Sequence, residues 1–252
     1  LFSDPDDALR LAEAALRAAG GDRGAAAAAR RALSSVHLQK GDSGAAVEAA
    51  DEAFAAFRDL KDTPGQASAL RALVEARLYD GRPELAASVV ASASQRFEAD
   101  KDDLGLAFSL LLEAEIKTAQ EDYEVGATKA SESLAAVRKL GAKDRGAAVG
   151  GLLLRLAEFQ TSVWKLEGAA EAADEALQVF RGLPGGAGKA GEGAALHAVA
   201  LVRAAEQRYA DALTSADGAL AIFKSLGDKA AQSAVLRTKI NAYLSDKRPS
   251  EA

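Results

Sequence analysis

Two histidines, one glycine-rich run and one short acidic cluster are where this 252-residue sequence places chemically capable residue types at suggestive spacings. His37 and His197 lie 160 residues apart and are the only histidines, so neither a Ser-His-Asp arrangement nor a multi-histidine metal centre is expected. The run Gly182-Leu183-Pro184-Gly185-Gly186-Ala187-Gly188-Lys189-Ala190 has the outline of a phosphate loop, in which backbone amides ahead of a helix surround an anion. Its details exclude that reading. Leu183 stands where the first glycine is required, Ala190 where Ser or Thr would hold magnesium, and a helix precedes it where a strand is needed. It is read as a lengthened, mobile turn between helices. Asp100-Lys101-Asp102-Asp103-Leu104-Gly105 opens like a calcium loop, with glycine at the sixth position. The fifth position is Leu104 and the twelfth is Leu111, where a bidentate Glu is needed, so Asp102 or Asp103 is expected to cap a helix instead. There is no Cys, which removes thiolate nucleophiles, thiolate metal sites and disulfides. No carboxylate pair is distinguished as a general acid and base. Catalysis, cofactor and metal are therefore not expected.

The composition agrees with a binding or structural role. With 49% apolar and 27% charged residues the chain has ample material for a packed core. Thirty-one basic against 37 acidic residues give a net charge of −6, which argues against nucleic acid as a partner. No window of about 18 residues is free of charge and glycine, and the first residues have acidic flanks, so neither a membrane span nor a signal peptide is visible. A soluble protein, intracellular by default, is expected, with its compartment open. Beginning with Leu1 and lacking Met, the chain reads as a processed or excised segment. Sixty-two alanines, five prolines and few β-branched residues predict helix throughout, an all-α class.

The elements emerge from self-similarity. Ala46, Ala50, Ala53-Phe54 and Phe57 share offsets with Ala86, Val90, Ala93 and Phe97; with Gly126, Ala130, Ser133-Leu134 and Val137; with Ala169, Ala173, Ala176-Leu177 and Phe180; and with Ala212, Ala216, Ala219-Leu220 and Phe223. Ala8, Ala12 and Ala15-Leu16 are placed in the same frame, giving spacings of 38, 40, 40, 43 and 43 residues. These offsets trace one face of a helix, called here the second type, whose small residues admit a close neighbour. A leucine stripe precedes each by 13 to 16 residues, at Leu33, Leu70 with Leu73, Leu110, Leu153 with Leu156, and Leu196 with Val199, and marks a first-type helix. Short turns are expected within a pair and longer ones between pairs, at 20–24, 62–65, 100–105, 141–146 and 182–193. About twelve antiparallel helices follow: a second-type helix over 4–19, pairs over 24–60, 65–99, 103–140, 145–182 and 189–226, and a closing first-type helix over 229–245. With each pair stacking on the next, one array without a domain boundary, 1–252, is expected, with half repeats at both ends.

Ala46 and Ala53, seven apart and preceded by Gly41-Asp42 and by pairs such as Leu33-Ser34 or Leu73-Val74, give each pair a likeness to a tetratricopeptide repeat (TPR). The period of 40 to 43 resembles the longer kinesin-light-chain-like variety, as do Phe57-Arg58-Asp59-Leu60 and Phe223-Lys224-Ser225-Leu226-Gly227-Asp228. The chain departs from the family where His37, Arg77, Lys117, Gln160 and Arg203 replace a late first-helix aromatic, and where Val90 replaces a small residue. The resemblance implies a right-handed α-solenoid whose first-type helices line a concave groove, and a protein-interaction scaffold binding a peptide or helix of another protein there. The groove-facing offsets of the family fall on Arg31, Ser35 and Leu38; on Arg71, Glu75, Leu78 and Tyr79; on Leu111, Glu115 and Thr118; on Leu154, Glu158 and Thr161; and on His197 and Leu201. Glu75, Glu115 and Glu158 either form an acidic ladder suited to a basic and apolar segment, or are solvated glutamates with partners such as Arg71 one turn away. The variety that clamps a C-terminal carboxylate needs Lys and Asn at set offsets, and the only Asn is Asn241, which disfavours it. Trp164 is read as a packing cap over a turn, with a partner contact as the alternative. The competing function is a structural subunit held through its convex face or ends, with an idle groove; the oligomeric state is open.

Overall fold

Alanine-rich sequence with little proline favours helix, and twelve α-helices make up the regular structure of the described residues, 4–141 and 146–246, of the computed structural model. The chain divides into two compact units, Leu1–Lys129 and Ala130–Ala252. The first holds α1 (Pro5–Ala19), α2 (Arg23–Gln39), α3 (Ser43–Asp59), α4 (Thr63–Tyr79), α5 (Pro83–Ala99) and α6 (Asp103–Ala119). Helix α7 (Tyr123–Lys139) spans the dividing point. The second unit continues with α8 (Ala147–Ser162), α9 (Leu166–Arg181), α10 (Gly185–Ala205), α11 (Tyr209–Leu226) and α12 (Lys229–Ser245). Consecutive helices within each unit pack against each other, and so do alternate ones such as α4 with α6 and α8 with α10.

In the first unit the junctions are nearly identical. Helices α2 to α6 each have 17 residues, and three residues separate each helix from the next, whether within a pair or between pairs. The longer inter-pair turns expected from the sequence are therefore absent in this unit; residues 142–145 of the expected 141–146 turn lie outside the described residues. Each junction from α2 onward places a left-handed residue in the middle: Gly41, Lys61, Gly81, Lys101 and Glu121. The last junction residue is the N-cap of the next helix, an aspartate except at Arg82, whose side chain makes no cap bond. Asp22, Asp42, Asp62 and Asp102 accept from the backbone N–H three residues on, at 3.0, 3.0, 3.0 and 2.8 Å. Asp102 thus caps α6, as expected for the false calcium loop. The 40-residue period is two 20-residue periods of helix plus turn.

The small-residue column is the core. Ala46, Ala50, Ala53, Phe54 and Phe57 of α3 are buried, as are Ala86, Val90, Ala93 and Phe97 of α5 and Ala212, Ala216, Ala219, Leu220 and Phe223 of α11. In the first unit Ala53, Phe54, Phe57, Ala86, Val90, Ala93 and Phe97 join Leu70, Val74, Leu112 and Ile116 in one cluster, and in the second unit Ala200 and Val235 join Ala216, Ala219, Leu220 and Phe223. The last phenylalanine of a second-type helix lies on a glycine near the start of the next first-type helix. A Cβ on Gly65 would fall 2.2 Å from the Phe57 ring, one on Gly105 2.2 Å from Phe97, and one on Gly191 2.0 Å from Phe180. These glycines are there because a ring occupies the space of a side chain.

One expectation about local structure fails for a visible reason. The glycine-rich run is helical from Gly185, where α10 begins and runs 21 residues. Two glycines there serve packing, since a Cβ on Gly188 would strike the Leu183 carbonyl oxygen at 2.3 Å and Gly191 seats Phe180. In α1, Ala12, in the frame of Ala50, is the one buried residue of the helix among those described, while Ala15, aligned with fully buried Ala53, is exposed.

The ring-on-glycine contact gives a paired test. Gly105→Ala is expected to lower stability by about 1–3 kcal/mol through overpacking against Phe97. Gly151→Ala, where a Cβ meets nothing within 4 Å, is expected to raise it by up to about 1 kcal/mol through helix propensity. Denaturant melts of the two variants beside the parent check both signs.

Candidate functional site

The expected groove residues divide between the two units. In the first, Arg71 and Glu75 sit one turn apart on α4 and form an ion pair with each other. That pairing satisfies the Glu75 carboxylate within its own helix, which weakens its claim to a partner's charge. Leu78 is half-buried against the core cluster, and Tyr79 is 64% exposed at the end of the helix. On α6, Leu111 is only 1% exposed and belongs to the core, so it cannot contact a ligand in a groove. Glu115 is half-buried and engaged, and the buried Thr118 hydroxyl lies where a Cβ on Gly126 would come within 2.6 Å of it.

In the second unit the same offsets converge. Leu154, Glu158 and Thr161 of α8 line one wall of a cleft of about 470 Å³, and His197 and Leu201 of α10 line the other. Ala157, Ala194, Ala198 and Val202 complete its apolar surface, and Ser162 stands at one end. The cleft arises from helix geometry: positions four apart project on one side of each helix, and small residues between them leave room where two first-type helices meet. Leu201 is 45% exposed, large for a leucine inside a packed pair. Both hydroxyls are taken by their own helix, Thr161 donating to the Ala157 carbonyl at 2.6 Å and Ser162 to that of Phe159 at 2.7 Å. Glu158 is exposed and has no ion-pair partner among the described residues. It is thus the free charged group on an apolar wall, and it differs from Glu75 in this respect.

His197 fastens the cleft to α12. Its Nε2 lies 2.8 Å from the Thr238 hydroxyl, which itself donates to the Ala234 carbonyl at 3.3 Å. Burial, with the Arg237 charge nearby, holds the histidine below its ordinary pKa. Two other departures from the family motif are ion pairs back to the preceding second-type helix: Arg77 with Asp51 at 3.6 Å and Arg203 with Asp174 at 3.4 Å.

Trp164 does not cap a turn. It is 74% exposed and holds a left-handed backbone, φ 59°, at the α8–α9 junction, two residues beyond Ser162. The cleft residues that the offsets missed, Ala157, Ala194, Ala198 and Val202, are small or apolar residues indistinguishable by type from core alanines. The one usable signal was that Ala194, Ala198 and Leu201-Val202 continue the His197 face at helical spacing. Among the described residues no group of three His, Cys, Asp or Glu is placed to hold a metal, and no helix is long and apolar enough to cross a membrane.

No protein-family model and no curated protein matches the sequence. Solved structures do. BtubC (BKLC) from P. vanneervenii is similar over 90% of this chain and 94% of its own, with TM-score 0.58 and 18% identity. A kinesin light chain of nearly identical TPR-like repeats from Podosopora anserina is similar over 79% of this chain and 94% of its own, with TM-score 0.53 and 15% identity. A STAND signal-transduction ATPase with a tetratricopeptide repeat sensor from Pyrococcus horikoshii aligns with 94% of this chain over 38% of its own length, with TM-score 0.52 and 15% identity. The fold is TPR-like.

The histidine link predicts a pH dependence. Because the folded pKa of His197 is lowered, the unfolded chain binds its proton first, so stability is unaffected well above pH ~6.5 and falls as pH drops below it. His197→Gln can still donate to Thr238 but does not titrate. Thermal melts from pH 7.5 to 5.5 are expected to show the parent losing ground to this variant as pH falls; parallel curves would contradict the assignment.

Proposed function

We propose that the protein is an interaction scaffold and that the α8/α10 cleft receives a peptide or helix of a partner protein. The observation that carries this reading is the cleft itself: an apolar hollow of about 470 Å³ with a half-exposed leucine, Leu201, on one wall and an unpaired carboxylate, Glu158, on the other. Thr161 and Ser162 are engaged with their own helix, His197 with Thr238 of α12, and Glu158 stands alone, so no two polar groups of the cleft are paired for catalysis. What it offers is shape and apolar surface, the means by which a groove selects side chains of an inserted segment. The expected groove residues Leu154, Glu158 and Thr161 belong to this site. Arg71, Glu75, Leu78, Tyr79, Glu115 and Thr118 of the first unit are assigned a supporting part at most, and Leu111 none.

The alternative, a structural subunit held through its end, draws on a stripe of exposed apolar residues along α12, Leu236, Ile240 and Leu244. One experiment separates the two. Peptides selected from a displayed random library against the whole chain are expected to lose at least about tenfold in affinity with Leu201→Asp, about 1.4 kcal/mol, while helicity is unchanged. Binding that survives Leu201→Asp and is abolished by Ile240→Asp would move the working surface to the end of the chain.

A further inference from the structure

The face formed by α8, α10 and α12 carries more than one charge, and the charges are ordered. Helix α10 touches both α8 and α12. Each helix contributes two residues one turn apart: Leu154 and Glu158, His197 and Leu201, Arg237 and Asn241. His197 is bonded to Thr238, the neighbour of Arg237, which sets Arg237 beside the far wall of the cleft. Arg237 and Asn241 are exposed, and neither side chain has an ion-pair or hydrogen-bond partner among the described residues. Other charges of these helices are occupied: Lys239 with Asp217 at 2.5 Å, Lys189 with Glu192 at 2.8 Å, and Arg203 with Glu206 at 2.9 Å; Arg155 is engaged too. What remains is one free anion on α8, Glu158, and two free cations on α12, Lys229 in its first turn and Arg237 near His197; Ala198 and Leu201 of α10 lie between Glu158 and Arg237.

Neighbouring packed helices stand about 8–10 Å apart, so α8 and α12 are separated by roughly 16–20 Å. An extended chain covers that span in about six residues at ~3.3 Å each. We propose that the cleft reads an extended segment of a partner protein bearing a basic and an acidic side chain about six residues apart. The basic group pairs with Glu158, the acidic group with Arg237 and the Asn241 amide, and apolar residues between them rest on Leu154, Ala198 and Leu201. This rests on the cleft being the binding surface, and it assigns the chemistry of what binds. Charges placed at the ends of an apolar contact act mainly on selection: a mismatched like charge is penalised more than a matched one is rewarded.

Three fluorescein-labelled peptides with one leucine-alanine core and terminal residues Lys and Glu, Lys and Lys, or Glu and Glu, six positions apart, test the proposal by anisotropy at low salt. The Lys/Glu peptide is expected to bind the parent about threefold to tenfold tighter than either of the others. Glu158→Lys is expected to shift preference to the Glu/Glu peptide, and Arg237→Glu to the Lys/Lys peptide, with helicity unchanged in both. Equal affinity for all three peptides, or a preference indifferent to both variants, overturns the charge assignment. If the three bind equally and Leu201→Asp removes all of them, the cleft stands as the site and only the charge assignment falls. If none binds, or Leu201→Asp changes nothing, both fall.

Discussion

A single left-handed residue in the middle of a three-residue junction, followed by a helix-capping aspartate at all but the Arg82 junction before α5, sets the geometry on which the first unit depends. The left-handed residue stops one helix; the aspartate starts the next by satisfying an amide that would otherwise have no partner. With three residues per junction the chain has no slack, so each helix must return antiparallel and in contact with the one before. Glycine fills the left-handed position where it can, and Lys61, Lys101 and Glu121 fill it elsewhere, at a cost of order 1 kcal/mol each that neighbouring packing offsets.

In α3, α5 and α9 the phenylalanine near the end of the helix is brought onto a glycine of the helix that follows. Phe57 on Gly65 and Phe97 on Gly105 share this contact, and Phe180 reaches Gly191 in the same manner after a longer α10. Second-type helices, with mostly alanine at their inward positions, can then lie close, and the first-type helices carry the larger leucines. In the second unit that division leaves α8 and α10 touching through Ala157, Ala194 and Ala198 where larger residues would have closed the gap, and a cleft results. Function in this account is a by-product of which positions the repeat keeps small.

Periodic features were legible in the sequence because they recur. The alanine-phenylalanine column named the buried face of α3, α5 and α11, and the leucine stripes named their partners. Features that depend on one junction were not. The glycine-rich run hid a helical turn because glycine is both a breaker and the only residue that fits beneath a ring, and composition does not distinguish the two. Leu111 looked like a groove residue because its offset is right, but the rotation of α6 turns it inward. Trp164 was read as a packing cap, and the left-handed backbone at the end of α8 instead presents the indole to solvent. Of the acidic residues in register, Glu75 is tied to Arg71 four residues earlier in its own helix, a pairing visible in the sequence, whereas Glu158 has Leu154 at that position and no partner among the described residues.

The central claim is that partner recognition lies on first-type helices of the second unit. Hydrogen exchange of the whole chain with and without a selected peptide tests it most directly. The account predicts added protection confined to residues 154–162 and 194–202, extending to 237–241 for a peptide carrying both charges. Protection appearing instead along α9 and α11, with those three segments unchanged, would contradict it.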